Sequence, residues 1–463
     1  MTMTKPAAAK LQRELFARSM VPIIPVESDH PYVLVADQLD WAMLAAIVQV
    51  IRRRKNKNGA GRIPHLRALI GAVVLMALRR VPYREVEDQA KYYAPARYLM
   101  GLTETTWTPN FRTVNDFTKL MGEDGIKAIN QHVVKMAVHE GRADPSEISA
   151  DTTAQEAAIP YPNEMGLMAQ FFSTVKKAVK RAGGVIKETF SKVAPLFEAA
   201  QEKLKSYRFF AKTKAERITH LKAMMRLVTK AQTTLARGLR VAATMPRKLK
   251  GQAKTALAKA QQVHDTMTAL LPQIAYWVKT GFVATGKIVS LHMQRLHSIV
   301  RGKVGKKVEF GLEWGFTRLR GGFIMATLAK KRSELVDQRF VGRAVDDHIA
   351  IFGKAPRSFA YDRGGSGKAN VKLLKAKGVK NVGLAPRGRA QWNVGPRTKQ
   401  RLMSERSKLE GCIGTVKCQK YGFNKPAAKS AELMGACGQR AVLGFNVYKL
   451  AKAWKAEMMA TVK

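Results

Sequence analysis

Acidic residues are scarce in this chain of 463 residues: 34 Asp+Glu stand against 81 Lys+Arg, a formal charge of +47. That imbalance points to polyanionic partners, nucleic acid first and acidic membrane second. Cysteine is scarcer still. Cys412, Cys418 and Cys437 are an odd and sparse set for a disulfide framework, which suits a reducing cytoplasm. The absence of a CxxC pair and of zinc-like histidine spacing argues against a zinc finger. Long apolar runs are missing too. The longest, 69–78, is closed by Arg79 and Arg80 and reads as a buried helix rather than a membrane span. The first residues hold no apolar segment of signal-peptide type. Apolar residues still make up 46% of the chain, enough for real cores, so the charge is not that of a disordered basic tail.

What is present divides by texture, and the length suits two or three domains. Residues 1–30 form a basic arm and 31–142 a run of short helices, punctuated by the glycines and proline of 59–64. Such helices suit DNA recognition and dimerisation, although a bundle that only packs has the same pattern. From 165 to 289 the chain is helical and one-sided in charge, with roughly 25 Lys+Arg against about 5 acids. Apolar steps of three and four run from Ile218 to Leu239 and from Ala253 to Trp277, around a turn at 245–251. They predict an antiparallel basic helical hairpin, kinked or ended at Pro272. Its cations could track DNA or simply be solvated. Elsewhere the period is two. Strands are expected at 148–153, 308–314, 322–327, 358–362 and 381–385, with a turn at 319–321 and helices at 333–352, 367–377 and beyond 399. The fold class is therefore α/β with a mixed sheet over 143–164 and 290–440, and a last helix at 441–463.

In so basic a chain, three carboxylates stand out. Asp151 and Asp362 fall at the ends of predicted strands, where α/β sheets collect their ligand sites. Glu410 shares one helical face with Met403, Arg406 and Lys417. Carboxylates converging from adjacent strands can bridge two Mg²⁺ ions, one activating a water or 3′-hydroxyl and one stabilising the leaving oxygen. Arg406 and Lys417 would hold the scissile strand by its phosphates. Plainer roles compete: Asp362 could cap a turn, Asp151 could pair with a cation, and Glu410 could be an i,i+4 partner of Arg406. Glu156, Asp346, Asp347 and Glu405 are the competing acids, and Glu405 faces away from Glu410. Lys306, Lys307, Arg363, Arg387 and Arg389 are candidate phosphate contacts. Trp392, in a basic loop, could stack on an unpaired base or serve as a hinge residue.

Three segments carry a resemblance. ADTTAQEAAIPYPNE at 150–164, AYDRGGSGKANVKLLKAKGVKNVGLAPRG at 360–388 and RSKLEGCIGTVK at 406–417 resemble the motifs of DDE transposases of bacterial insertion sequences. The helical stretch containing WAMLAAIVQVIRRR and YREVEDQAKYYAPARYLMGL resembles the domain preceding their catalytic core. The last motif departs from the family at Met403, where a tyrosine is usual. The resemblance implies an RNase-H-like catalytic domain with Asp151, Asp362 and Glu410 as metal ligands and catalytic groups, and two Mg²⁺ ions replaceable by Mn²⁺. It also implies double-stranded DNA partners (terminal inverted repeats and target), a homodimer in a synaptic complex, and a nucleoid-associated place in a bacterial cytoplasm. Some relatives carry their insertion before the glutamate helix; here the large insertion follows the first aspartate. The alternatives are a degenerate copy that binds DNA and represses its relatives, or a metal-dependent nuclease.

Overall fold

The computed structural model describes residues 26–55, 65–103, 105–182, 187–245, 251–300, 308–388 and 391–461. The predicted punctuation at 59–64, most of the basic arm, the centre of the 245–251 turn and the candidate contacts Lys306, Lys307 and Arg389 lie outside them.

Helices α1 (Pro31–Gln38), α2 (Trp41–Lys55), α3 (Leu66–Arg79), α4 (Tyr83–Tyr92) and α5 (Ala94–Leu99) precede the long α6 (Phe111–His139). The apolar run seen in the sequence is α3, buried without interruption from Ala68 to Leu78. A helix apolar all round must be enclosed, and α3 is enclosed by its neighbours in sequence and by the C-terminal helix. Each of its large side chains contributes about 1.5–3 kcal/mol of burial. No single helix among the described residues is long and apolar enough to cross a membrane.

The sheet comprises β1 (Asp144–Glu156), β2 (His297–Val300), β3 (Val308–Arg320), β4 (Ile324–Leu328), β5 (Ser358–Tyr361) and β6 (Asn381–Leu384). Its order is β2-β3-β1-β5-β6, with β4 also paired to β3. β3 runs antiparallel to β1, β2 and β4, while β5 and β6 extend the sheet parallel to β1. This is the mixed α/β sheet that the alternating periods predict. Several bounds differ from expectation: β1 starts at Asp144 rather than 148, and β3 runs on past 314 to Arg320. β1 continues to Glu156, beyond the expected 153, because its polar Gln155 is buried but satisfied: Nε2 donates to the Phe423 and Met434 carbonyls, and Oε1 accepts from Trp314 Nε1. The short edge strand β2 was not foreseen; four residues are too few for a periodicity to register.

Between β1 and β2 lies the insertion. The expected hairpin is half of it: α7 (Glu164–Ala182), α8 (Lys187–Phe209), α9 (Lys214–Ala243) and α10 (Gly251–Thr280) form a four-helix bundle. α10 packs chiefly on α7, and α9 on α8, rather than mainly on each other. Val228 and Leu235 of α9 and Val263, Met267 and Ile274 of α10 are fully buried, as their spacing predicts. Thr213 and Glu216 close a capping box at the start of α9. Pro272 does not end α10, which runs on to Thr280 with Leu270 and Ile274 buried on either side of it.

Helices α11 (Asp337–Phe352), α12 (Lys368–Ala376), α13 (Pro396–Lys417) and α14 (Ala431–Thr461) complete the chain. α14 crosses α3 where Gly444 meets the backbone of Ala77; a Cβ there would lie 2.1 Å from the Ala77 oxygen. A buried amide cluster locks α14 to α6 and β4. Asn446 Nδ2 donates to Asn130 Oδ1 and to the Ile324 carbonyl, both at 2.7 Å, and its Oδ1 accepts from Ile324 N.

Candidate active site

The register of β1 against β5 decides what the first two acids can do together. Ser149 and Ala360 are the last pair of the parallel ladder; continued two residues, that register brings Asp151 level with Asp362, which directly follows β5. Side chains alternate faces along a strand, so both carboxylates share a face with Ser149. Ser149 Oγ donates to the Glu405 carbonyl, which identifies that face as the one covered by α13. Asp362 also caps a short 3₁₀ turn at Arg363–Gly365, accepting from Gly364 N at 2.7 Å, and Asp151 Oδ1 accepts from Thr152 N at 2.7 Å. The turn-capping role weighed for Asp362 is therefore present alongside its position at the strand end.

α13, which packs on β1 and β5, carries Glu410. Leu402, Leu409, Ile413 and Val416 form its buried stripe, and their burial outweighs the ~1 kcal/mol that Gly411 and Gly414 each cost in helix propensity. Met403 and Glu410 are exposed, and Arg406 and Lys417 half-buried. Arg406 holds Glu410 at 2.7 Å in the i,i+4 pair that the sequence allows. Glu405 points the other way. It is buried against Arg318 of β3 and also takes Lys408 at 2.7 Å. Burial works against its ionisation, but Lys408 and Arg318 hold the carboxyl below the usual range. That ion pair fixes how α13 lies on the sheet. The other competing acids are occupied elsewhere: Asp346 by Lys377, Asp347 by Arg343 and Thr327, and Glu156 near Lys425.

One acid that sequence reading passed over belongs here. Asp337, in the first turn of α11, accepts from Thr152 Oγ1 at 2.7 Å and from the Tyr361 hydroxyl at 3.0 Å through a single oxygen, Oδ1. Thr152 follows the first aspartate and Tyr361 precedes the second, so Asp337 ties the two strands together from the opposite face. Its other oxygen lies where a Cβ on Gly364 would be, 2.1 Å away, so only glycine fits at that point of the turn. Burial, then the nearby Asp337 and Asp151 charges, raises the Tyr361 pKa well above the ordinary tyrosine value, which keeps it a proton donor. In the sequence Asp337 is an ordinary helix-start acid, and only the tertiary fold shows what it reaches.

The turn after Asp362 is clamped further. Gln338 Nε2 donates to the Gly364 and Ser366 carbonyls, Asn370 to Gly365, and Arg387 to Arg363 and Gly364. Arg387 thus spends donors on the backbone, while Arg363 is exposed. Trp392 is half-buried with Lys399 Nζ 5.8 Å from its ring centre.

The donor chemistry suits a hard divalent cation, since Asp151 and Asp362 offer carboxylate oxygens from adjacent strands. Three donors do not close around one point. Among the described residues no group of three His, Cys, Asp or Glu stands close enough to hold a metal ion. Glu410 is exposed and paired with Arg406 in a partly exposed ion pair worth only a few tenths of a kcal/mol.

No curated protein and no solved structure matches the chain. Residues 23–120, which take in α1 to α5 and the start of α6, match the family model described as Transposase domain (DUF772), consistent with a transposase of an insertion sequence.

Proposed function

We propose that this protein is a DDE transposase: it cleaves DNA at the ends of an insertion sequence and joins the freed 3′-hydroxyl to target DNA. The observation that carries the reading is the parallel register of β1 with β5, which continued two residues brings Asp151 level with Asp362, on the sheet face that α13, the helix of Glu410, covers. The mixed sheet, antiparallel where β3 meets β1, β2 and β4 and parallel across β1, β5 and β6, is compatible with an RNase-H-like domain, and the transposase-domain match at 23–120 supports the transposase reading.

In this reading Asp151, Asp362 and Glu410 hold two Mg²⁺ ions, with Mn²⁺ able to replace them. Bound there, the ions would supply nucleophile activation and charge neutralisation at the leaving oxygen. The chain's own residues set the geometry. Asp337 fixes the two aspartate strands relative to each other, and the Glu405–Arg318 pair fixes α13. When Glu410 parts from Arg406, that guanidinium is released to grip a phosphate of the scissile strand, with Lys417 further along the same face. Arg363, Arg387, Arg389, Lys306 and Lys307 are assigned to phosphate contacts and Trp392 to the distorted strand. The partners are double-stranded DNA, as terminal inverted repeats and as target, and a second copy of the chain in a synaptic homodimer. A nucleoid-associated place in a bacterial cytoplasm follows from that role.

The test is strand cleavage of a labelled duplex carrying the element's ends, comparing wild type with Glu410→Gln in Mg²⁺ and in EDTA. We expect metal-dependent nicking that falls at least a hundredfold in the variant. Binding without nicking would instead favour a DNA-binding repressor, a reading to which the Arg406-paired Glu410 lends support. Cut but never joined products would favour a nuclease.

A further inference from the structure

The bundle end nearest the sheet carries a surface that the proposed chemistry does not use. Because α7 to α10 alternate in direction, the start of α7, the end of α8, the start of α9 and the end of α10 meet at that end. Lys214 Nζ lies 3.8 Å from where a Cβ on Gly281 would be, which brings the α8–α9 corner against the end of α10. Tyr161 and Arg208 line one cleft with Gly166 and Val289. Four large rings stand out in solvent there: Tyr161 at 76%, Phe209 and Phe210 at 72% each, and Phe282 at 71% exposed. Burying any one phenylalanine would gain about 1.5–3 kcal/mol, yet the fold leaves all of them outside. Between them sit Arg208, Lys212, Lys214 and Lys279, all exposed and none engaged in an ion pair among the described residues. The one acid in the α8–α9 corner, Glu216, is spent on the Lys212 and Thr213 backbone amides.

We infer that this end of the insertion binds unpaired bases of a DNA strand, with Phe209, Phe210, Phe282 and Tyr161 stacking on them and the cations holding the phosphates. Cations alone would serve a paired duplex, whose bases offer no free faces. Exposed rings set among cations are what a strand with unstacked bases requires. The charge favours a polyanion over a second copy of a protein that itself carries +47. Position agrees. β1 carries Asp151 and runs five residues to Glu156, about 17 Å of strand, before the chain turns through Pro160-Tyr161-Pro162. Tyr161 packs edge-on against Phe310 of β3, 5.4 Å between centres, so the surface is fixed to the sheet beside the candidate active site. The inference rests on the transposase reading for its ligand class and adds to it where the DNA is held open.

The test uses the full-length protein and two duplexes of one length, one fully paired and one with a short central bubble containing 2-aminopurine. Wild type should bind the bubble roughly tenfold more tightly and quench its fluorescence. Phe209→Ala/Phe210→Ala should lose both the preference and the quenching while keeping its affinity for paired DNA; these rings cover no core, so folding is unaffected. Phe282→Ala should give the same direction with a smaller change. Lys212→Gln/Lys214→Gln should weaken both duplexes alike and flatten the salt dependence. Equal binding of both duplexes by wild type, or an unchanged preference in the aromatic variants, overturns the inference. Should end cleavage persist in that case, the transposase reading stands without it. Failure of wild type to bind either duplex sinks both. A drop in sedimenting mass of the aromatic variant without DNA would overturn it in favour of a contact between copies of the chain.

Discussion

Leu75 of α3, Ile129 of α6, Leu319 of β3, Phe359 of β5 and Leu450 of α14 belong to one continuous apolar core. Phe171, Val228 and Val263 belong to another, which stays within the insertion apart from its outgoing segment. The contrast is instructive because the sequence suggests boundaries of equal weight at both places. The N-terminal helices, which match a transposase domain, are built onto the sheet: α14 lies against α3 and α6, and the Asn446–Asn130 cluster reaches β4. The insertion meets the sheet chiefly where the chain passes in and out. A change in the first body should travel between the helices and the candidate active site. One in the bundle should stay there.

Three experiments would break or sharpen that contrast. The largest effect should come from Arg318→Met, which leaves Glu405 buried with only Lys408 and should cost about 3–5 kcal/mol. Hydrogen exchange should show the sheet and the N-terminal helices losing protection together while α7–α10 keep theirs; loss confined to the sheet would contradict the shared core. Next, Leu75→Ala and Leu235→Ala remove similar side chains from the two cores, each fully buried, and should each cost about 2–5 kcal/mol. Calorimetry should place the first change in the transition of the sheet body and the second in a separate transition of the bundle. A single transition lowered equally by both would mean that the bundle does not melt independently. The smallest effect concerns pH. His348 of α11 is 1% exposed, neither ring nitrogen has a hydrogen-bond partner, and burial lowers its pKa to about 4. Below pH 6.5 the unfolded chain takes up a proton that the folded chain refuses until about pH 4, so stability falls across that window and then levels. The loss is about 3 kcal/mol at most. His348→Leu should flatten the pH dependence of the sheet body and leave the bundle's own unchanged; equal flattening in both would argue against separate cores.

Where periodicity was strong, the fold could be read in the sequence: the apolar α3, the seams of α9 and α10, and the alternation of β3 and β4. The reading weakened where tertiary partners decide. Gln155 looks like a strand-ending polar residue until Trp314 and two carbonyls are seen to satisfy it. The pairing of α10 with α7 was hidden because a heptad seam names the buried face of a helix but not its neighbour. For the candidate site, spacing put both aspartates at strand ends; Asp362 does directly follow β5, but Asp151 lies inside β1, five residues before its end, and their level register depends on β5 lying beside β1, a long-range fact. Asp337 carried no signal at all, since a carboxylate in the first turn of a helix is ordinary.

The ladder between β1 and β3 has a consequence for how such a chain could have arisen. Glu156 pairs with Gly311, and the Ala157 amide donates to the Phe310 carbonyl, so the two ends that bracket the whole insertion lie side by side. An ancestor lacking the bundle and β2 would need only a tight turn there to close the same sheet with Asp151 in the same register. The bundle is in that sense a detachable cassette: gained, lost or exchanged without rethreading the sheet that carries the candidate site, and a natural place to graft another folded unit.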